Sequence, residues 1–288
     1  MPDTMYTQKY TIDDLLGRVE LPSLPEAIIK LGEAISKDAS MDKIVTLVQN
    51  EPALTARVLR LANSAWYQHG HHVDTIKEAI TNIGFVTTYQ LIVVSSIIEI
   101  FQGINSQLIN MRSFWQQSMR MACAAVILAE HLQHPSPLRI FSSGMLSYIG
   151  RLILYVTIPS EMQKILLIVM DDGIPQHRVE QEILGFEHSE LSASLLASWM
   201  LPKDIYVPIK NLYSPEKTDI NYRQDTYILN ISHYMQYTYA HDITLTDPPG
   251  PPSIHILQEL GLNLDDLPIL SRYTDNKYKE GMSLFLNN

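Results

Sequence analysis

The sequence is poor in the features that most often announce a chemistry. It has one cysteine among 288 residues. A single thiol forms no disulfide within the chain, which fits a reducing compartment. Cys123 lies in the apolar stretch MRMACAAVILAEHL with no Cys–His signature beside it, and it reads as a buried, inert thiol. Basic charge is short as well: 21 Lys and Arg stand against 31 Asp and Glu, for a net charge of −10. An acidic surface repels phosphate backbones, and no local basic cluster offsets it, so nucleic-acid binding is not expected. The most apolar window, Phe85 to Phe101, is interrupted by Thr87, Thr88, Gln90, Ser95, Ser96 and Glu99. A membrane span needs about 20 mostly apolar residues, so this window reads as a buried helix. The opening residues, MPDTMYTQKYTIDD, lack the basic and apolar regions of a signal peptide. Together these absences predict a cytoplasmic protein with no membrane insertion. The sequence also lacks a glycine-rich phosphate loop, G-x-S-x-G and H-E-x-x-H.

What is present is helical periodicity. In LPSLPEAIIKLGEAISK, Leu24, Ile28, Leu31 and Ile35 recur at three- and four-residue steps and stack on one face. Ser40 can cap a second helix, and Pro52 sits where a first-turn proline belongs. Thr75 to Glu78 and Ser113 to Gln116 read as capping boxes. A helix is predicted from Ser113 to about Leu132, and a single helix from about Leu138 to Val156. Others follow at about 160–171, 176–184, 188–200 and 225–239, with a short one bounded by Pro202 and Pro208 and two short ones at the end. No run of alternating β-branched residues appears, so the predicted class is all-α. Gly103 to Asn110 is polar and separates two lobes. The expected division is 1–105, an amino-terminal helical lobe; 106–213, a second helical lobe; and 214–288, a helical extension packed on the second.

Six segments, in order, carry a resemblance. They are LPSLPEAIIKL, EPALTARVLRLANSAWY, TIKEAITNIGF, FWQQSMRMA, IFSSGMLSYIGRLIL and EILGFEHSELSASLLASWMLP. The second supplies Pro52, Leu54, Leu59, Asn63, Ser64 and Tyr67 to a pattern D/E-P-x-L-x4-L-x3-N-S-x2-Y. Spread over about residues 20 to 210, these segments resemble the HDOD family of bacterial signalling proteins. That resemblance implies a two-lobed helical domain whose second lobe is an HD-like bundle. HD enzymes place a histidine, a His–Asp pair and a later aspartate around one or two metal ions. The ion lowers the pKa of a water that attacks a phosphoester.

Position by position, the resemblance implies that this set is lost. Where complete members read F-W-x-H-S, this chain has Gln117; where they read L-H-D-I-G, it has Ser147 and Tyr148; and the later aspartate aligns with His233. Three uncharged side chains and one imidazole make a poor divalent-metal site, since a phenol stays neutral at pH 7. The expectation is no metal, no cofactor and no enzyme activity of the HD type. His188 matches a family histidine. It reads as a helix-start residue bonded to backbone, or as the wall of a remnant pocket, with Arg151 as a second pocket residue.

The remaining clusters favour ordinary roles. His69, His71 and His72 form a loop cluster suited to adventitious metal. His131 and His134 suit the carbonyl end of a helix. The pairs Asp171–Asp172 and Asp265–Asp266 suit helix termini. Asn63, Trp66 and Tyr67 can end a helix and pack between lobes, or form a partner-facing patch, because aromatic residues favour interfaces.

Three functions follow in order. The first is a non-catalytic signalling adaptor that acts through other signalling proteins. The second is a sensor that binds a nucleotide, cyclic dinucleotide or other small molecule in the vestigial cleft without cleaving it. The third and weakest is a metal-dependent phosphodiesterase.

Overall fold

The computed structural model of the chain describes residues 10–18, 24–64, 66, 72–102, 108–239 and 249–285. Among them are sixteen α-helices, three short 3-10 helices and no strand. In chain order the helices are α1 (Ile12–Arg18), α2 (Glu26–Ser36), α3 (Met41–Gln49), α4 (Pro52–Ala62), α5 (Ile76–Ile83), α6 (Phe85–Gln102), α7 (Met111–His131), α8 (Pro137–Leu146), α9 (Ile149–Thr157), α10 (Pro159–Asp172), α11 (Gln176–Leu184), α12 (His188–Ser198), α13 (Lys203–Lys210), α14 (Arg223–Tyr239), α15 (Ile254–Glu259) and α16 (Leu267–Phe285).

The chain forms two compact units. The larger holds the described residues of 1–21 and 105–275, the smaller those of 22–104 and 276–288. This differs from a linear division at both ends. The opening helix α1 packs on α9 and α12, with Leu15 fully buried, so it belongs to the larger unit. The last turns of α16 belong to the smaller one. The carboxy-terminal residues therefore do not form one extension of the second lobe.

In the smaller unit, α2 packs on α3 and α6, and α4 on α3, α5 and α6. The periodic residues Ile28 and Leu31 are buried there. Pro52 opens α4, and the Thr75 side chain accepts a hydrogen bond from the Glu78 N–H at 3.2 Å. Ser40 stands before α3, but its side chain makes no capping bond.

In the larger unit, α7 is the central helix, packed on α8 and α14. It is buried along most of its length, Cys123 included. Its cap is Asn110, which accepts from the Ser113 N–H at 3.0 Å. Ser113 is thus inside the helix and not its boundary. Pro137–Thr157 is long and apolar enough to cross a membrane, but 89% of that window is buried inside the fold, as in a core helix. Pro208 lies within α13, not at its end, and costs one backbone bond of a two-turn helix. The last helix is 19 residues long, longer than its sequence pattern suggests.

The helix expected over 138–156 is broken at Ser147 and Tyr148 into α8 and α9. A break inside a core strands backbone groups that need partners. The Ser192 hydroxyl of α12 supplies them. It accepts from the Gly150 N–H at 2.8 Å and lies 3.0 Å from the Ser147 carbonyl and 2.9 Å from the His188 carbonyl. Gly150 permits the approach, because a Cβ there would lie 2.1 Å from the His188 carbonyl oxygen. Backbone on both sides leaves nothing flexible to yield. Replacing Gly150 with Ala should therefore cost about 3 kcal/mol and lower the melting temperature by roughly 10 °C. Gly17→Ala, where a Cβ meets nothing within 4 Å, should be neutral or slightly stabilising in the same thermal denaturation.

Candidate functional site

The candidate centre grows from the α8–α9 break and the start of α12. Gln176 and Glu180 share one face of α11 at i and i+4. Gly185, at φ 83°, ends that helix in the left-handed region that glycine favours. Three residues later α12 begins with His188 as its first residue, capped by a reciprocal Glu187–Glu190 pair. This short turn brings His188 back over Glu180, eight residues earlier. Burial pushes the Glu187 carboxyl above the ordinary carboxylate range, with His177 and Ser189 opposing the shift.

Glu180 and His188 are both fully buried. The carboxylate receives three donors. His188 gives its backbone N–H at 2.8 Å and its Nδ1 at 2.6 Å to Oε2, and the Gln176 amide donates to Oε1 at 2.7 Å. On the other side of the ring, Arg151 Nε donates to His188 Nε2 at 3.2 Å, and the Tyr213 hydroxyl lies 2.9 Å from the same nitrogen. A guanidinium can only donate. Nε2 is therefore an acceptor, and Nδ1 carries the proton toward Glu180. The neutral imidazole bridges a buried carboxylate and a buried cation, which leaves neither uncompensated.

Arg151 also packs over the Tyr148 ring at 4.7 Å, a cation–π contact. The Tyr148 hydroxyl lies 2.7 Å from His233 Nδ1 and accepts from the Gln236 amide. Tyr213 meets His188 and His233 edge-on, both at 5.3 Å, and stacks flat on His177 at 3.9 Å.

The structure thus joins Tyr148 and His233, and it brings Arg151 and His188 into the same cluster. The other two positions behave differently. Ser147 turns its hydroxyl back to the Ser143 carbonyl at 2.8 Å. Gln117 is buried on α7 with no hydrogen-bond partner for its Nε2. His188 does start α12, and its ring reaches the side chains of Glu180, Arg151 and Tyr213. Glu180, Gln176, Tyr213 and Gln236 were missed. The i,i+4 pair Gln176 and Glu180 just before G-F-E-H was a readable hint. Nothing local marks Tyr213.

A divalent ion of the kind that HD enzymes use does not fit these residues. The phenol and imidazole at two of the positions are bonded to each other, the serine is bonded to its own helix, and the Arg151 charge repels a cation. Among the described residues, no three His, Cys, Asp or Glu side chains are grouped to hold a metal.

The other candidate residues are structural where described. Asn63 clamps Val73, accepting its N–H at 2.8 Å and donating to its carbonyl at 2.9 Å. Trp66 meets Phe285 edge-on at 6.2 Å. Tyr67, His69 and His71 lie outside the described residues, and His72 is exposed, 3.5 Å from Asp74. His134 is buried and bonded to Asp225 at 3.0 Å, so it does not serve a helix carbonyl end.

Fold and centre together define an all-α domain of the HD-like class. The HDOD domain matches residues 21–215, and the chain belongs to that family of signal transduction proteins. An uncharacterized protein of Treponema pallidum (strain Nichols) is 23% identical over 193 residues, which cover 66% of this chain and 37% of that protein. The chain therefore spans well under two thirds of that relative. An HDOD domain protein of unknown function from Geobacter sulfurreducens superposes with a TM-score of 0.73 at 20% identity, covering 95% of this chain and 96% of its own. A protein of Shewanella amazonensis SB2B, named as a candidate phosphohydrolase, superposes at 0.70 with 26% identity, covering 94% and 96%.

Removing the Glu180 charge should be costly. Glu180→Gln weakens the acceptor that takes both the His188 Nδ1 proton and the His188 backbone N–H, and the expected loss is about 2 kcal/mol by chemical denaturation. A loss below about 1 kcal/mol would mean that the bridge carries little.

Proposed function

We propose that the protein is a non-catalytic adaptor in signal transduction, acting through protein–protein contacts and not through phosphoester chemistry. One observation supports this reading: Tyr148 and His233, the residues that the family resemblance aligns with two metal ligands, are hydrogen-bonded to each other at 2.7 Å beneath the Arg151 guanidinium. Hydrolysis of this type needs an ion that activates water. Here the same space is filled by a phenol, an imidazole and a fixed cation. The sensor reading, with a nucleotide in this cleft, is disfavoured by the same packing, because Tyr148, His188 and His233 are at most 1% exposed.

The test measures release of p-nitrophenol from bis(p-nitrophenyl) phosphate and p-nitrophenyl phosphate with added manganese, iron or magnesium, together with cyclic-dinucleotide cleavage. Rates for the wild type should equal the buffer blank with each metal. Metal-dependent turnover that disappears in Tyr148→Phe or His233→Ala would contradict the proposal.

A further inference from the structure

Helix α10, in the larger unit, carries an apolar face on the side away from its core. Met162, Ile165 and Val169 form the inner side and are buried, where α10 packs on α9 and α11. The opposite side carries Leu167, 53% exposed, and Met170, at 77% the most exposed of the large apolar residues described. Ile174, just past the end of the helix, is exposed as well. Lys164 and Asp171 flank this strip, both exposed. We propose that this face pairs with the same face of a second copy of the chain, as two antiparallel α10 helices related by a two-fold axis.

The charge pattern selects that occupant. Lys164 and Asp171 lie on one edge of the face, two helical turns apart. That separation, about 10 Å along the axis, is too long for the two to pair with each other. Among the described residues, neither has an ion-pair partner in its own chain. A two-fold axis beside Leu167 and Ile168 reverses the second helix but keeps its charged edge on the same side. Lys164 of each copy then meets Asp171 of the other, and both pairs form at once. Leu167 meets its own copy at the axis, and Met170 lies over the Gln163 stem. A parallel pairing would set lysine against lysine and aspartate against aspartate. A partner of one charge sign would satisfy only one of the two residues, whereas the inverted copy satisfies both.

The same geometry limits the strength. The contact is a strip about 20 Å long and one helix, about 10 Å, wide. That is smaller than the roughly 800 Å² per partner of a standard stable interface. The net charge of −10 on each chain also opposes association at long range. The dimer is therefore weak, with a dissociation constant of about 10–100 μM. Association of this strength follows local concentration. Copies of an adaptor gathered into one assembly pair there and separate on release.

The experiment is sedimentation velocity of the full chain from about 5 to 300 μM, a range that brackets the expected midpoint. The wild type should pass from monomer to dimer across it. Leu167→Asp places two carboxylates at the axis and should leave the chain monomeric throughout. Lys164→Asp and Asp171→Lys each turn two attractive pairs into two repulsive ones and should weaken association about tenfold. An equimolar mixture of these two variants should regain wild-type association. One copy then carries aspartate at both positions and the other lysine at both, so the two pairs form again. The substituted residues are exposed, which leaves the fold intact. A wild type monomeric over the whole range, association untouched by Leu167→Asp, or a mixture that associates no better than its components would overturn the proposal. The adaptor reading is decided separately by the metal-dependent turnover assays, whichever result is obtained here.

Discussion

The centre of the larger unit depends on one neutral imidazole. His188 gives its Nδ1 proton to Glu180 and takes a hydrogen bond from Arg151 on its other nitrogen. That ring links a buried carboxylate to a buried guanidinium, groups that cost several kcal/mol each when left uncompensated. With it, the charges compensate through the ring, and Arg151 is held where it covers Tyr148. The packing of Tyr148 on His233, and so the filling of the cleft, follows from this bridge.

The backbone arrangement makes the bridge possible. His188 is the first residue of α12, and α12 passes so close to the α8–α9 break that only glycine fits at position 150. The same contact places Ser192 to satisfy the groups freed by the break. The irregular central turn of this HD-like fold is thus fixed by the packing of α12. The turn is held by helix–helix contact and by hydrogen bonds, both of which are independent of an ion.

Much of the fold was legible because core periodicity and prolines are local signals. Ile28 and Leu31 on one face, Pro52 at the first turn and the Thr75 cap were all readable. The break at Ser147 and Tyr148 was not, because no proline marks it and the groups that satisfy it come from α12, 42 and 45 residues away. Asn110 was hidden as a cap because Ser113 to Gln116 offers a competing capping-box pattern three residues later. In the site, the positions of lost ligands came from motif order, and Arg151 and His188 were singled out as pocket residues. Their partners Glu180 and Tyr213 were invisible, since the turn after Gly185 and the distance from α13 to α12 are tertiary facts. His134 showed the same limit: its partner Asp225 lies 91 residues on.

The most direct test is the tautomer of His188, read from its imidazole ¹⁵N shifts and two-bond proton couplings in labelled protein near pH 7. The account predicts a neutral ring protonated on Nδ1, with shifts unchanged by manganese, iron or zinc and assigned by their loss in His188→Gln. A ring protonated on Nε2, or shifts that move or broaden with stoichiometric metal, would contradict it.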